Sequence, residues 1–251
     1  MTVRVAVIYY SATGSVHALA QAVAEGATSA GAEVRLRRVA ELAPQDAIDQ
    51  NPRWRRHADA TVSTAEAAPE DLAWADAWAF GTPTRFGAPA AQLKQFIDRA
   101  DGLWHQGKLA DKAVTAFTSA YHRHGGNEAT ILSLANVFYH WGAIIVPPGF
   151  TDPAVHAAGG NPYGASHVSS PDGEGPGAAT LEAARYQGRR LVRFASRLRD
   201  NRDAAGDDRN AGDISDAGNA GNDPNTGDER GSSGDERSSS GDLAATATRT
   251  A

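Results

Sequence analysis

Near the N-terminus the spacing of apolar positions changes from a strand's to a helix's. In "VAVIYYSATGSVHALAQAVAEG" (residues 5–26) and just before it, Val3, Val5, Val7 and Ile8 with two tyrosines form a β-branched, aromatic run of the kind a buried strand requires. Beyond it Val16, Leu19, Ala20, Val23, Ala24 and Ala27 recur at i, i+3, i+4, i+7 spacing, which puts them on one helix face, and Gly31 stands where the helix should stop. Ser11 to Ser15 therefore join a strand to a helix N-terminus.

The alternation continues. "EVRLRRV" is a half-exposed second strand suited to a sheet edge, "ADAWAFGTPTRFG" a third strand ending in a Gly/Pro turn, and Leu93, Phe96, Ile97 and Ala100 mark the helix after it. "KAVTAFTSA" is a fourth strand, "NEATILSLANVFYHWG" its helix, "AIIVPPG" a fifth strand, and Leu181, Ala184, Leu191, Val192, Ala195 and Leu198 build a last helix. Two stretches break the rhythm: residues 41–70, an aperiodic insertion with room for a short helix, and residues 151–178, a Gly/Pro-rich excursion long enough to suggest a functional or intersubunit role. Strands alternating with helices predict an α/β protein, a doubly wound, five-stranded parallel sheet covered on both faces.

Composition divides the chain into a domain at residues 1–199 and a tail at 200–251. The tail is Gly, Asp, Asn, Ser, Ala and Arg with Ile214 and Leu243 its only large apolar side chains, a composition expected to stay disordered because it cannot offset ordering entropy. It holds 12 Asp and Glu against 5 Arg, so the remaining 18 acids and 19 bases nearly cancel and the net charge of -6 belongs to the tail. A near-neutral body is not the footprint of a nucleic-acid surface. With no cysteine, thiolate catalysis, disulfides and iron–sulfur ligation are excluded, and redox chemistry would need a bound cofactor. No charged segment followed by a long apolar run opens the chain, and no stretch reaches membrane-spanning length, so a soluble cytoplasmic protein without membrane insertion is expected.

In a doubly wound sheet, ligands sit beyond the carboxyl ends of the strands, where strand order reverses. The polar, glycine-containing turns "SATGS", "GTPTRFG" and "TSAYHRHGGNE" should converge there. A helix N-terminus offers unpaired N–H groups to an anion, and Ser11, Thr13 and Ser15 add hydroxyls around Gly14. The turn contains no lysine, which excludes the Walker pattern and favours a monophosphate over a metal-bound triphosphate. An ordinary Ser/Thr helix cap is the competing reading of this turn.

The ordered set "YYSATG", "GTPTRFG", "DGLW", "HGGNEATI", "IIVPPG", "GGNPYGAS" and "ARYQGRRL" closely resembles the WrbA-type NAD(P)H:quinone oxidoreductases, flavodoxin-like FMN proteins, over roughly residues 3–198. The resemblance implies that Ser11, Ala12, Thr13, Gly14, Ser15 and Val16 wrap the FMN phosphate and that Pro83, Thr84, Arg85 and Phe86 lie along the isoalloxazine. It further implies that Ser119, Ala120, Tyr121, Gly125 and Gly126 belong to a third flavin loop, that His140 reaches the ring's polar edge, and that Trp104 and Thr13 border the substrate pocket. NADH or NADPH would donate electrons and quinones accept them, two at a time, by a ping-pong hydride-transfer route in a homotetramer whose subunits complete one another's pockets. Two departures are visible: Thr13 stands where some relatives carry an aromatic residue, and "SAYHRHGG" is bulkier and more basic than glycine-richer versions.

Other features have plainer alternatives. His140 also fits a histidine at a helix C-terminus, Arg85 a solvated turn cation and Trp104 a core aromatic. "HRH" at 122–124 lacks neighbouring ligands for a metal, and "RWRRH" at 53–57 reads as a solvated or subunit-contact patch. The alternative to a quinone reductase is a flavodoxin-like FMN electron carrier or binding module with no substrate pocket of its own. An interaction protein without catalysis has no basic recognition helix behind it.

Overall fold

The computed structural model describes residues 2–169 and 175–204. Its elements run β1 (Arg4–Tyr9), α1 (Ser15–Ser29), β2 (Glu33–Arg38), α2 (Gln45–Asp49), α3 (Pro52–Ala60), α4 (Pro69–Trp74), β3 (Ala77–Arg85), β4 (Ala88–Pro89), α5 (Ala91–Asp98), α6 (Asp101–His105), β5 (Ala113–Ala120), α7 (Asn127–His140), β6 (Ile144–Ile145), α8 (Pro153–Ala157), β7 (Ser166–Val168) and α9 (Ala178–Ala204). The spine of the sheet is β2-β1-β3-β5-β6, and every pairing along it is parallel. Strand order reverses between β1 and β3, which creates the crevice where doubly wound folds bind ligands.

The alternation of side chains along β1 explains why both faces need helices. Val5, Val7 and Tyr9 pack with Val16, Leu19 and Val23 of α1 and Leu191 of α9, while Ala6 and Ile8 face Leu93 and Phe96 of α5 and Leu134 and Phe138 of α7. On the second face Trp78, Phe80, Phe138 and Trp141 form an aromatic cluster with centroids 5.4–6.1 Å apart. Each such buried ring contributes roughly 1.5–3 kcal/mol through area alone.

Three details refine the sequence reading. β4 adds an antiparallel hairpin to β3, and β7, inside the 151–178 excursion, pairs in parallel with the end of β5, so the five-stranded spine carries two short additions. β6 is cut to two residues because Pro147 and Pro148, which have no N–H for the ladder, follow closely. The insertion at 41–70 forms α2, α3 and the start of α4. α9 continues to Ala204, past the expected boundary at 199, and the expected disordered tail beyond it lies outside the described residues.

Candidate functional site

The first turn is not closed by a side-chain cap. Helix α1 starts after Gly14, whose φ of 103° is open to glycine at little cost, and no side chain caps its first turn among the described residues. Ser11 instead folds the turn on itself: its Oγ accepts from the Gly14 N–H at 3.1 Å. The capping alternative thus gives way to a bare helix start, with Ser15 and Val16 buried beneath it and Thr13 half-buried at its rim. Ala12 is buried too, anchoring the turn.

Helix α7 repeats the arrangement. Its N-cap, Gly126, has φ 93° and no side-chain cap among the described residues. A Cβ on Gly126 would stand 2.8 Å from the Gly87 Cα, so the second loop's tip rests against the third loop's end. Thr84 ties them further: its Oγ1 donates to the Gly125 carbonyl at 3.2 Å and accepts from the Thr130 hydroxyl at 2.8 Å. Pro83 is buried in β3. Inside the third loop, Ser119 and Ala120 are buried at the end of β5.

The tips of both loops carry exposed aromatic surface. Between β3 and β4 the chain turns through Phe86 and Gly87, both at positive φ (53° and 79°). A bulky side chain at positive φ is uncommon and strained, and such strain gathers at binding sites. Phe86 is fully exposed and Tyr121 half-exposed, while Arg85 next to them is exposed and donates to the Thr84 carbonyl. His122, Arg123 and His124 are exposed. No group of three or more potential ligands able to hold a metal occurs among the described residues, and "HRH" is part of none.

His140 and Trp104 do not join these loops within one chain. α7 has 14 residues, so His140, its last, stands about 20 Å from Asn127 at the mouth. There the Trp104 Nε1–H donates to the His140 carbonyl at 3.0 Å, and the two border a cleft of about 290 Å³ with Lys94, Asp98, Asp101 and Val137. His140 occupies the C-terminal helix position that its plainer reading required.

Several residues at the mouth escaped the sequence reading. Asn127, first in α7, is 4% exposed, and its Oδ1 finds no hydrogen-bond partner among the described residues. Ser169, just past β7, brings its Oγ within 3.2 Å of the Ser15 Oγ and donates its N–H to the Ala120 carbonyl, so the excursion buttresses both outer loops. Helix α3 closes over the Ser11–Ser15 turn: the His57 Nδ1 stands 3.6 Å from where a Gly14 Cβ would be, and His57 lines one chamber with Ser11. His57 also meets His17, with ring centroids 5.3 Å apart, and His17 Nδ1 lies 2.5 Å from the Tyr9 hydroxyl. Burial, reinforced by His17, lowers the His57 pKa to about 4; burial also lowers that of His17 and pushes Tyr9 up to about 12. Only "HGGNEATI" carried a signal for any of this, since the asparagine is part of the motif.

The residues present fit a flavin mononucleotide. Two bare helix starts at one sheet edge offer N–H donors, the αL glycines keep the turns clear of side chains, and a buried amide oxygen awaits a donor.

Strand order, the reversal between β1 and β3 and the loops beyond them define a flavodoxin-like α/β protein. A flavodoxin from the domain Archaea shares that fold, with TM-score 0.51 and 16% identity over 77% of this chain and 99% of its own. Residues 3–156 match the family model described as NADPH-dependent FMN reductase. A Deinococcus radiodurans protein called NAD(P)H dehydrogenase (quinone) is 44% identical over 200 residues, 78% of this chain and 97% of the relative, and one of the same name from Rhizobium rhizogenes is 41% identical over 78% and 98%. A WrbA-like flavodoxin structure from Agrobacterium tumefaciens superposes with TM-score 0.56 and 25% identity over 78% of this chain and 99% of its own. The chain belongs to the NADPH-dependent FMN reductase family and, within it, to the WrbA-type NAD(P)H:quinone oxidoreductases. Among the described residues no helix is long and apolar enough to cross a membrane.

Proposed function

We propose that this chain binds one FMN across its three loops and catalyses two-electron reduction of quinones by NADH or NADPH. The observation that carries the proposal is the pair of helices, α1 and α7, that begin at uncapped αL glycines on the same sheet edge. The phosphate belongs at Ser11–Val16, where N–H groups and hydroxyls supply neutral donors and the helix dipole supplies partial positive charge. The ring belongs along Thr84–Phe86, facing the 119–126 loop, with the Asn127 Oδ1 free to accept from a ring N–H. Bound FMN supplies the two-electron acceptor and donor that the side chains lack. The protein's part is to orient it, keep water from one face with Phe86 and Tyr121, and offer donors to the ring edge that becomes electron-rich.

A single open face that both nicotinamide and quinone must use implies alternate occupancy, hence ping-pong kinetics. The Trp104–His140 corner, some 20 Å along α7 from the mouth, supports a homotetramer in which a neighbouring copy lays that corner over the ring. The relatives' shared name, NAD(P)H dehydrogenase (quinone), supports the substrate pair. The test is steady-state oxidation of NADH or NADPH by FMN-loaded protein with benzoquinone as acceptor, alongside light scattering for mass. Coupled turnover with parallel double-reciprocal lines and a tetrameric mass is expected. FMN uptake without turnover by a monomer would leave an electron carrier, and no FMN uptake would overturn the reading altogether.

A further inference from the structure

The phosphate turn has no lysine or arginine of its own, although its ligand would be a dianion near neutral pH. The inserted helix α3 brings an ionisable group to it. Three donors to Glu41 hold α3 and the sheet together: the Tyr10 hydroxyl at 2.9 Å, Trp54 Nε1 at 3.2 Å and Gln92 Nε2 at 2.8 Å. Trp54 and His57 are one helical turn apart, so this clamp seats His57 against Gly14, in the chamber that Ser11 also lines.

We propose that His57 is a positioning residue for the cofactor phosphate: it takes up a proton when the phosphomonoester docks in the Ser11–Ser15 turn, and supplies across that turn the positive charge the turn lacks. The inference rests on the FMN reading above.

The surroundings give the sign. Facing His57 are Tyr9 of β1, which stays a phenol, His17 of α1, Arg38 at the end of β2, paired with Glu66 at 3.0 Å, and Glu41, which lines the same chamber of about 210 Å³ between the sheet and α3. Burial first and then the neighbouring His17 hold His57 neutral while no anion is bound, and the positive end of α1 acts in the same direction. Glu41 is engaged by the donors of Tyr10, Trp54 and Gln92 and by the N–H groups of Leu42 and Ala43, and Arg38 adds positive charge. A dianion at the start of α1 is the addition that favours His57 in its charged form. Because binding raises the pKa, proton uptake accompanies binding, the gain is largest at low pH, and it disappears as pH rises through the bound-state value.

The test combines FMN titration with the ring signals of His57 in NMR. If FMN returns His57 to an ordinary histidine pKa near 6.5, affinity should rise about fourfold from pH 8 to pH 6 relative to His57→Gln, which removes the contribution of the phosphate's own titration. His57→Lys, charged throughout, should bind at pH 8 at least as tightly as the native protein and lose the pH dependence relative to His57→Gln. The His57 ring should titrate at clearly higher pH with FMN than without it. An identical titration with and without FMN, or identical pH profiles in native protein and His57→Gln, would overturn the proposal while leaving FMN binding intact. Absence of FMN binding at any pH would overturn the cofactor reading and this inference with it.

Discussion

Two pairs of helices in this chain begin in opposite ways. The short helices α3 and α8 are closed by a side chain followed by proline: Asn51 accepts from the N–H groups of Arg53 and Trp54 at 3.1 and 3.2 Å, and Asp152 accepts from Ala154 at 2.9 Å. The long helices α1 and α7, at the carboxyl ends of β1 and β5, begin at αL glycines with no side-chain cap among the described residues. A cap is worth about 1 kcal/mol; α1 and α7 do without it, and under the proposed function their free N–H groups serve the ligand.

The contrast should survive or fail by mutation. Gly126→Val should do most damage, since a β-branched residue at φ 93° with its Cβ 2.8 Å from Gly87 costs roughly 2–4 kcal/mol and parts the second and third loops. A thermal melt and an FMN titration should show both losses; a native-like melt would show that the two loops are not joined there. Asn127→Ala should split stability from binding: apo stability changes by less than about 0.5 kcal/mol because its Oδ1 is unpaired, whereas FMN weakens about tenfold. Equal losses would make Asn127 a structural residue.

Acidification probes the turn without mutation. His57 has a folded pKa near 4 against about 6.5 unfolded, so the unfolded chain binds the extra proton and apo stability declines as pH falls from about 6.5 to 4. Partial solvent screening limits the effect to about 1 kcal/mol, and chemical denaturation of native protein beside His57→Gln measures it; a flat difference would contradict the burial argument. Asp152→Ala should cost about 0.5–1 kcal/mol and leave FMN affinity within about twofold, as a purely local cap requires. An effect on FMN as large as that of Asn127→Ala would erase the distinction between the two kinds of helix start.

The spine of the sheet and the strand-to-helix turn after β1 were legible because both are local, although the sequence left open whether a side chain caps that turn: a change of hydrophobic period marks the junction, and a βα alternation has few ways to wind. β7 was hidden because its three residues, Ser166–Val168, acquire strand geometry only by pairing with β5. The approach of His57 to Gly14 was hidden for the same reason, since "RWRRH" shows only charge, and its placement depends on Glu41 gathering donors from Tyr10, Trp54 and Gln92. His140 is different. Its distance from the mouth could have been counted from the helix that starts at Asn127, and the family resemblance drew it to the flavin although the helix carries it away within one chain.

The claim that the uncapped start of α1 is a phosphate site is tested most directly by comparing FMN with riboflavin, which lacks the phosphate, in parallel fluorescence titrations of the native protein at pH 7. Charge-assisted hydrogen bonds from two or more backbone donors predict that FMN binds at least about 100-fold more tightly. Equal affinities for the two flavins would contradict it.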